Sequence, residues 1–485
     1  MIRCLFFSFS FFLLLLLLIG IGGGCKRNDQ PTQEISGFPL QKFSGYKGIW
    51  YSNQPSNDEY VYKYSGGLGT YPAKHNPFAI YREEVNKTFF CYGGTNDSSS
   101  TLLHMVSLFD HATNTFATPR ILLDKGTKDA HDNPVISMDR EGYIWIFSTS
   151  HGVERPSFIH RSSKPYEIDQ FDNIHAVQLM EGKEIPLDNF SYLQVWHDGS
   201  QFLAFLTFYR PGSGPYKRQV RTINFMKSID GIHWSEIQRL SALEEGHYQI
   251  SNLHAQTLGT AFNYHPANSA EVNGLNQRTN LYYLQSIDGG KSWQSADQQD
   301  ITLPLQEVQN KTLVKDYESE GLLVYLKDLA FDSDGNPVIL HLTSSGYEAG
   351  PSNNPRTWRT AYWTAGQWQF SEITTSDNNY DMGSLYLISD SLWQIIAPTE
   401  SGPQAFNPGG ELALWESKNQ GKSWTKQMQL TNNSLYNHTY VRRPVNAHPD
   451  FWGIWADGHG RQASASRLYI SDQQGEVRQL PVVME

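Results

Sequence analysis

Short apolar runs separated by polar, glycine-containing turns fill the chain from about residue 75 onward. The segment HDNPVISMDREGYIWIFSTSHG, residues 131–152, shows the pattern most clearly, with two apolar runs on either side of residues 140–142. A run, a turn and a second run predict a β-hairpin. With a three-residue loop, His131 and His151 should face each other at the open end, roughly 5 Å apart.

The hairpin pattern recurs at intervals along the chain. Equivalent patterns begin near residues 75, 131, 190, 247, 324, 381 and 438. Most are followed by a second pair of apolar runs. Seven such units predict an all-β fold, a seven-bladed β-propeller of four-stranded antiparallel blades. The segment 48–65 could supply the strand that closes the ring with the last blade.

Turn signatures between the later runs support this prediction. SIDGGKSW (286–293) is a complete Ser-x-Asp-x-Gly-x-x-Trp box, SKNQGKSW (417–424) has Asn419 in place of Asp, and SIDGIHW (228–234) is one residue shorter. In such Asp-box turns the carboxylate or amide accepts backbone N–H groups while the Trp packs beneath. We therefore predict a structural role for these boxes.

The N-terminus reads as a targeting segment. Arg3 precedes an unbroken apolar run that ends in small residues before Cys25, which is typical of a secretory signal over residues 1–24. The small residues before Cys25 also resemble a bacterial lipobox with Cys25 as the lipidated residue. A plain cleaved signal and an N-terminal membrane anchor are the alternatives. Residues 25–43 are predicted to be a tether, and residues 44–485 the propeller.

Composition narrows the function classes. Aromatic residues make up 13% and charged residues 18% of the 485 residues, which suits many short strands. A net charge of −11 gives no support to nucleic-acid binding or to a polybasic membrane contact. Apart from Cys4 and Cys25 the chain has only Cys91, so no disulfide framework or cysteine-based zinc site is predicted. We expect a monomer, secreted or held at the cell surface or outer membrane through a lipid.

Polar, titratable residues concentrate at the open ends of the predicted hairpins. In a propeller these ends share one face around the channel mouth, where propellers commonly bind ligands. Each residue taken alone is more often a hydrogen-bonded loop residue than a catalyst. The residues we expect to contact substrate there are His75, His247, His265, Arg442 and His459.

Four rim residues form the sharpest candidate site: His131, His151, Tyr192 and Arg210. Tyr192 and Arg210 occupy the places in one unit that the two histidines occupy in the unit before. Glycosidases usually need two acids, and no carboxylate pair stands out, Asp132 and Glu400 being the nearest candidates. The set suits β-elimination from a uronic acid. A cation neutralises the carboxylate, a neutral His removes the C5 proton and a Tyr protonates the departing oxygen.

The Asp-boxes, KYSGGLGTYPAKHNPFAIY (63–81), the 131–152 segment and NHTYVRRP (437–444) resemble the BNR-repeat propellers that include ulvan lyases. The resemblance covers most of the chain from about residue 44. It implies cleavage of ulvan, a sulfated rhamnose–uronate polysaccharide, by β-elimination. It also implies that His131 and His151 are the catalytic histidines, Tyr192 the tyrosine and Arg210 the arginine. Arg218 and Arg221 compete for the last role, and Tyr209 competes for the phenol.

The resemblance further implies a structural metal ion, zinc or calcium, whose ligands the sequence does not identify. Two other functions remain open. One is a glycoside hydrolase acting on rhamnose–glucuronate linkages or of the sialidase type. The other is a surface lipoprotein that binds a glycan without cleaving it.

Overall fold

The computed structural model describes residues 37–67, 74–96, 101–210, 220–267 and 276–484. The predicted signal 1–24 and Cys25 lie outside the described residues, and of Arg210 only the backbone is described. Residues 37–485 form one compact unit. The described part is all-β, and its helical turns are the short 3-10 segments Glu83–Val85, Ala130–Asp132 and Pro351–Asn353. No helix in these ranges is long and apolar enough to cross a bilayer.

Seven larger sheets follow one another along the described chain, here numbered in chain order. Sheet 1 contains Gln41–Lys42, Ala79–Arg82, Lys87–Gly94, Leu103–Asp110, Thr115–Phe116 and Arg120–Asp124. Sheet 2 contains Phe38–Pro39, Pro134–Met138, Ile144–Ser148, Phe158–Ser162 and Gln170–Ile174. Sheet 3 contains Val177–Met180, Lys183–Pro186, Ser191–His197, Phe202–Arg210, Val220–Ser228, His233–Trp234 and Gln238–Ser241.

The remaining large sheets have four strands each. Sheet 4 contains Gln249–His254, Thr257–Tyr264, Thr279–Ser286 and Leu313–Lys315. Sheet 5 contains Leu323–Phe331, Pro337–Ser344, Arg356–Thr364 and Gln367–Ser376. Sheet 6 contains Ser384–Leu387, Trp393–Glu400, Glu411–Ser417 and Thr425–Gln429. Sheet 7 contains Asn437–Arg442, Gly453–Gly458, Leu468–Ser471 and Val477–Gln479.

The predicted hairpins are confirmed. For the hairpin of sheet 2 the predicted strand register is confirmed as well. Each of the seven predicted hairpins corresponds to a pair of adjacent antiparallel strands. In sheet 2, Val135 lies opposite Phe147 and Met138 opposite Ile144, the pairing that places His131 across from His151. All residues of these two strands are buried, because sheets cover both of their faces.

The core consists of apolar layers between consecutive sheets. Trp145 of sheet 2 packs with Phe202 of sheet 3 in one such layer, and the other neighbouring sheets enclose similar layers. Sheet 7 also packs against sheet 1, where Ile454 joins the layer that contains Phe90 and Tyr92. Each sheet therefore has a packed neighbour on both faces, the last sheet on the first included.

The Asp-boxes are structural, as predicted. Asp230 accepts the N–H groups of Ile232 and His233 at 2.8 Å each, and the indole of Trp234 donates to Gly231 O at 3.0 Å. Asp288 and Asn419 make equivalent bonds in their own turns. These side chains form their hydrogen bonds within the turns, so they carry no catalytic chemistry.

The N-terminal segment corrects two expectations. Residues 48–65 do not add a strand to sheet 7, because Trp50–Pro55 and Tyr62–Gly67 pair with each other, although Gly48 bridges both Ser466 and, in sheet 1, Gly94. The predicted tether 25–43 also ends early. Phe38–Pro39 extends sheet 2 beside Gln170–Ile174, and the next two residues, 41–42, extend sheet 1. Two backbone segments thus cap the outer edges of sheets that would otherwise present unpaired groups.

Candidate active site

The two histidines lie face to face at the open end of the sheet 2 hairpin. Their ring centroids are 4.0 Å apart and their planes differ by 11°. His131 belongs to the 3-10 turn before the first strand, and that turn is capped by Asp129, which accepts the N–H of His131 at 3.0 Å. His151 follows the second strand. The hairpin register and the capped turn together place the rings in parallel.

Asp129 joins the two rings. Its carboxylate lies 2.5 Å from Nδ1 of His131 and 2.8 Å from Nδ1 of His151. Tyr51 donates to the same carboxylate at 3.1 Å, and Arg155 donates to it at 2.9 Å while also binding Asp132. Because Asp129 accepts the Nδ1–H of the neutral His151 ring, the Nε2 atom of His151 keeps its lone pair.

The electrostatics of this cluster favour a charged carboxylate and a neutral His131. Burial opposes ionisation of Asp129, but the hydrogen bonds from His131 and His151 outweigh it and hold the pKa of Asp129 well below its usual value. Burial lowers the pKa of His131, against the opposing effect of Asp129. The side chain of His151 is 28% exposed and that of His131 only 8%. His151 is therefore the imidazole that a polymer can reach.

Tyr192 lies beside the histidines on the first strand of the sheet 3 hairpin. Its ring centroid is 6.1 Å from that of His131, nearly perpendicular to it. The residue sits at a bulge with φ of 49°, a strained backbone conformation that is concentrated at functional sites. Burial, reinforced by the neighbouring phenols of Tyr209 and Tyr248, raises the pKa of Tyr192 well above its usual value. The phenol is thus protonated at neutral pH, as a general acid must be.

Arg221 is a buried arginine beside these phenols. Arg221 lies across the strand pair from Tyr209, with its guanidinium carbon 5.2 Å from the Tyr209 ring and 5.5 Å from that of Tyr248. It is buried, and its Nε and Nη1 atoms have no hydrogen-bond partner in the protein. The predicted Arg210 ends the preceding strand, next to Val220, but its side chain lies outside the described set.

Tyr248 is a site residue that the sequence did not single out. Its ring lies 5.7 Å from that of Tyr192 and 4.6 Å from the guanidinium carbon of Arg278. Burial opposes its ionisation, but Arg221 and Arg278 outweigh burial and lower the pKa of Tyr248. The surroundings of these two adjacent tyrosines therefore act in opposite directions: those of Tyr192 favour the neutral phenol, and those of Tyr248 favour the phenolate.

A second group of buried cations continues from Tyr248. Arg278 lies over the rings of Tyr248, Tyr325 and Tyr380 at 4.6–5.6 Å. The Lys63 ammonium lies 5.3 Å from the Tyr64 ring and 5.9 Å from that of Tyr380, buried and without a hydrogen-bond partner. Burial, with the charge of Arg278, lowers the pKa of Lys63 to about 6. An anionic ligand bound beside this amine would raise its pKa and supply the counter-ion for the protonated form.

Two of the predicted contact residues, His75 and His265, pack against tyrosines of the site. His75 is fully buried, binds Thr149 Oγ1 at 2.9 Å and lies 5.7 Å from the Tyr192 ring. His265 packs edge-on against Tyr248 and binds Gly246 O at 3.0 Å. His247 has both ring nitrogens engaged internally, Nε2 with Leu243 N–H and Nδ1 with Asn263 O. That position gives no support to substrate contact by His247.

Arg442 and His459 lie apart from the histidine pair. Arg442 lines a cavity of about 420 Å³ together with Trp196 and His254, which lie at the turn ends of their hairpins. Tyr192 lies near the start of the strand Ser191–His197, and Trp196 lies near its end. The cavity is therefore at the end of the hairpin away from Tyr192, so the expected rim position of Arg442 is wrong. His459 accepts the N–H of Arg461 and packs against Tyr436.

Sequence reasoning missed Asp129, Tyr51 and Arg155 as well as Tyr248. Asp129 stands two residues before His131, where an Asp ahead of a short turn signals a cap. That spacing was the available signal for Asp129. Tyr51 carries no such signal, because the fold brings it in from a separate segment, and Arg155 lies in the loop after His151 without a marked motif.

Two residue groups among the described residues could hold a metal ion: Asp129 with His131 and His151, and Asp450 with His111 and His448. The first group does not fit a metal well, because Arg155 already occupies the Asp129 carboxylate with a positive charge. In the second group the ion pairs of the Asp450 carboxylate among the described residues are with His111 and His448. Its imidazole and carboxylate donors suit zinc, whereas calcium takes oxygen ligands.

The comparison with known families places the chain in one of them. Residues 96–376 match the model of the BNR repeat-containing family. That span is more than half of the chain, and the protein therefore belongs to this family.

Two curated proteins are similar over most of their length. The chain is 22% identical over 466 residues to an ulvan lyase of Nonlabens ulvanivorans, covering 88% of this chain and 92% of the relative. It is 19% identical over 435 residues to an ulvan lyase of Alteromonas sp. (strain LOR), covering 83% and 84%.

Solved structures share the fold. A PL25 ulvan lyase superposes with a TM-score of 0.65 at 16% identity, covering 90% of this chain and 98% of its own. The same type of enzyme bound to -[GlcA(1-4)Rha3S]- gives 0.65 at 15% identity, with the same coverage. The polysaccharide lyase Uly1 gives 0.60 at 10% identity, covering 92% and 100%.

Proposed function

We propose that this protein is a polysaccharide lyase that cleaves ulvan by β-elimination and leaves an unsaturated uronyl end. The observation that carries the proposal is the Asp129-linked His131–His151 pair facing Tyr192, with Arg221 on the far side of Tyr209. Both curated relatives are ulvan lyases, and a PL25 structure binds a glucuronate–sulfated rhamnose oligosaccharide.

In this proposal the uronate carboxylate meets Arg221, whose unpaired Nε and Nη1 atoms are free to donate to it. Neutralising the carboxylate acidifies the C5 proton, because the developing negative charge delocalises into it. A cation held ready in a buried site stabilises that charge without reorganisation. Arg278 provides further positive charge for neighbouring anionic groups of the polymer, and an anionic group bound beside Lys63 would raise the pKa of that amine and so protonate it.

His151 is the base in this scheme. It is the more exposed imidazole, and with Nδ1 bound to Asp129 its Nε2 can take the C5 proton. Asp129 then stabilises the imidazolium. The stacked His131 stays neutral because two charged rings 4.0 Å apart would repel.

Tyr192 is the acid. Its raised pKa keeps the phenol protonated until negative charge develops on the departing glycosidic oxygen. The C4–O4 bond then breaks, the oxygen takes the phenolic proton, and a C4–C5 double bond remains. The proton at C5 passes to His151, so no water is consumed and the step is balanced.

The hydrolase alternative lacks the carboxylates that it needs. Glycosidases use one protonated and one ionised acid. Here the carboxylates of Asp129 and Asp132 both bind the single guanidinium of Arg155, and the pKa of Asp129 is held well below its usual value. A purely binding role would not call for two phenols with opposing pKa shifts.

We also propose that the seven sheets are the blades of one closed seven-bladed propeller, since sheet 7 packs on sheet 1. The catalytic rim would then surround one mouth of the central channel. Signal 1–24 and Cys25 suggest a monomeric secreted or surface-anchored enzyme that meets its polymer outside the cell.

Ultraviolet absorbance of the purified protein incubated with ulvan tests the function. A rising signal from the conjugated double bond is expected, and His151→Ala should remove it. New reducing ends without absorbance would mean hydrolysis. Binding of ulvan with neither signal would leave a glycan-binding role.

A further inference from the structure

A cavity of about 420 Å³ lies at the turn ends of the hairpins, away from the histidine pair. Residues from the first strands of four different sheets line it: Trp196, Phe331, Leu387 and Arg442. Tyr192 lies near the start of the strand that carries Trp196, and four residue steps along a strand correspond to roughly 13 Å. The volume falls within the range of about 300–1,000 Å³ that is usual for small-molecule sites. The cavity is therefore separate from the proposed catalytic cluster and large enough for a ligand.

Arg442 places a buried positive charge at the wall of this cavity. The residue is 4% exposed, and its Nη1 donates to the neighbouring Val441 O at 3.3 Å. Its Nε and Nη2 atoms are buried without a hydrogen-bond partner among the described residues. Burial lowers the pKa of Arg442 to about 10, with Asp328 acting in the opposite direction. The guanidinium is thus charged at neutral pH, with two of its three nitrogens unpaired.

The carboxylates around the cavity are bound to other groups. Asp328 accepts two backbone N–H groups, at 2.9 and 2.8 Å, and lies 3.6 Å from Nε of Arg443, which also lines the cavity. Asp332 accepts backbone N–H groups of its own turn and a tyrosine hydroxyl. Asp390 accepts a serine hydroxyl. None of these three carboxylates pairs with Arg442, so the two adjacent arginines carry charge that a bound anion would neutralise.

Aromatic rings form another wall of the cavity. Tyr386 and Trp452 stack with their centroids 4.8 Å apart and their planes at 16°. The guanidinium carbon of Arg443 lies 5.9 Å from the Tyr386 ring, and the Arg443 side chain is 25% exposed. Nε1 of Trp452 is buried without a hydrogen-bond partner. Apolar rings beside a few placed donors fit a ligand that combines C–H groups with an anionic group, as an acidic sugar does.

We propose that this cavity is a second saccharide-binding site, in which Arg442 and Arg443 bind the carboxylate or sulfate of an acidic sugar. The Nε and Nη2 atoms of Arg442 share one edge of its planar guanidinium, and such an edge can donate to two oxygens of one anion. A rotation of the side chain would turn that edge into the cavity, where Arg443 is already exposed. The choice of an acidic sugar rests on the proposed function, whereas the cavity and its charge do not.

A second site of this kind would keep a polymer on the protein between cleavage events. A chain held at one end of the sheets has a raised local concentration at the other end, without any new contact in the catalytic cluster. Both arginines belong to the motif NHTYVRRP, residues 437–444, and the proposed elimination uses neither of them. The second site therefore gives this motif a role that the catalytic scheme leaves open.

The test is calorimetric binding of the disaccharide GlcA(1-4)Rha3S to the full chain carrying His151→Ala, which should not turn the probe over. Arg443→Gln, added to that chain, should weaken one binding event at least tenfold. Arg442→Gln should do the same, with Tm measured to show that this buried variant folds. Arg140→Gln removes an exposed arginine from the turn of the sheet 2 hairpin and should leave binding unchanged. Arg221→Lys alters the proposed catalytic cluster and should leave this binding event intact.

Absence of binding would overturn the proposal, as would binding that Arg221→Lys removes and Arg443→Gln leaves unchanged. Titration with sodium sulfate separates a saccharide site from a site for free anions. Sulfate binding that Arg443→Gln abolishes, and for which the disaccharide does not compete, would overturn the assignment to a saccharide. If ulvan gives no absorbance change but this binding persists, the lyase function fails and the second site stands.

Discussion

The imidazoles of His131 and His151 stack in parallel, 4.0 Å apart, with both Nδ1 atoms bound to the carboxylate of Asp129. One carboxylate therefore sets the tautomer of both rings. Because the hairpin register dictates this face-to-face contact, the catalytic geometry follows from strand pairing.

Replacing His151 by Ala should lower kcat on ulvan by about 10²- to 10⁴-fold, the usual worth of a general base. The fold should be unaffected, since the side chain is partly exposed at a rim. Absorbance kinetics measure the loss, and circular dichroism checks the fold. His254→Ala, an exposed histidine at the other end of its hairpin, is the matched control. Full activity of His151→Ala would assign the base elsewhere, with Tyr248 the first candidate.

Asp129→Asn should lower kcat on ulvan by about 10²-fold, because the amide carries no negative charge to stabilise the imidazolium that forms when His151 takes the proton. Absorbance kinetics measure the loss, and urea unfolding checks the fold. A merely structural Asp129 would lower stability while leaving kcat of the folded protein unchanged, and that outcome would contradict the assignment.

Arg221→Lys should lower kcat/KM by about 10²-fold, because a single ammonium cannot replace the paired guanidinium contacts to a carboxylate. Arg210→Lys is the informative comparison, since Arg210 ends the strand that pairs with the one carrying Arg221. A larger loss in Arg210→Lys than in Arg221→Lys would show that Arg210 binds the uronate carboxylate, as the sequence predicted.

Lys63→Met should raise KM for ulvan roughly tenfold while leaving kcat nearly unchanged. The amine lies buried beside Arg278 with a pKa of about 6, and an anionic group of the polymer would protonate it on binding, so its contribution is to anchor that group away from the bond that breaks. Initial-rate kinetics over a range of ulvan concentrations measure this. Lys418→Met, at an exposed position, should match the natural protein. A fall in kcat without a change in KM would place Lys63 in the chemistry.

Stability should fall as the pH drops from about 6.5 towards 4. Burial lowers the pKa of His247 and His438 to about 4 and that of His341 to about 3. Each folded-state pKa is depressed below that of the unfolded chain, near 6.5, so protons favour unfolding. Stability is complete above pH 6.5, and each histidine costs on the order of 2 kcal/mol by pH 5.

Urea unfolding at several pH values measures this dependence. His438→Gln should remove about one proton from the slope between pH 5 and 6.5, whereas His175→Gln, at an exposed position, should leave it unchanged. An unaltered slope in His438→Gln would show that this ring is charged in the folded state.

The sequence by itself determined the all-β fold, the seven hairpins, the Asp-box turns and the contact between His131 and His151. These are local consequences of apolar runs, turn residues and a fixed antiparallel register. Asp129 was within reach of the same reasoning, because it caps the turn that carries His131.

The tertiary structure decided which distant residues complete the site. Tyr51, Arg155, Arg221 and Tyr248 join the histidines through the packing of different sheets and loops, and no periodicity along the chain encodes that. It also places Arg442 at the end of the hairpins away from Tyr192, because the strand Asn437–Arg442 runs to that end and contains a bulge. Strand register is set by neighbours in sequence, whereas side chains from separate sheets meet only after those sheets pack together.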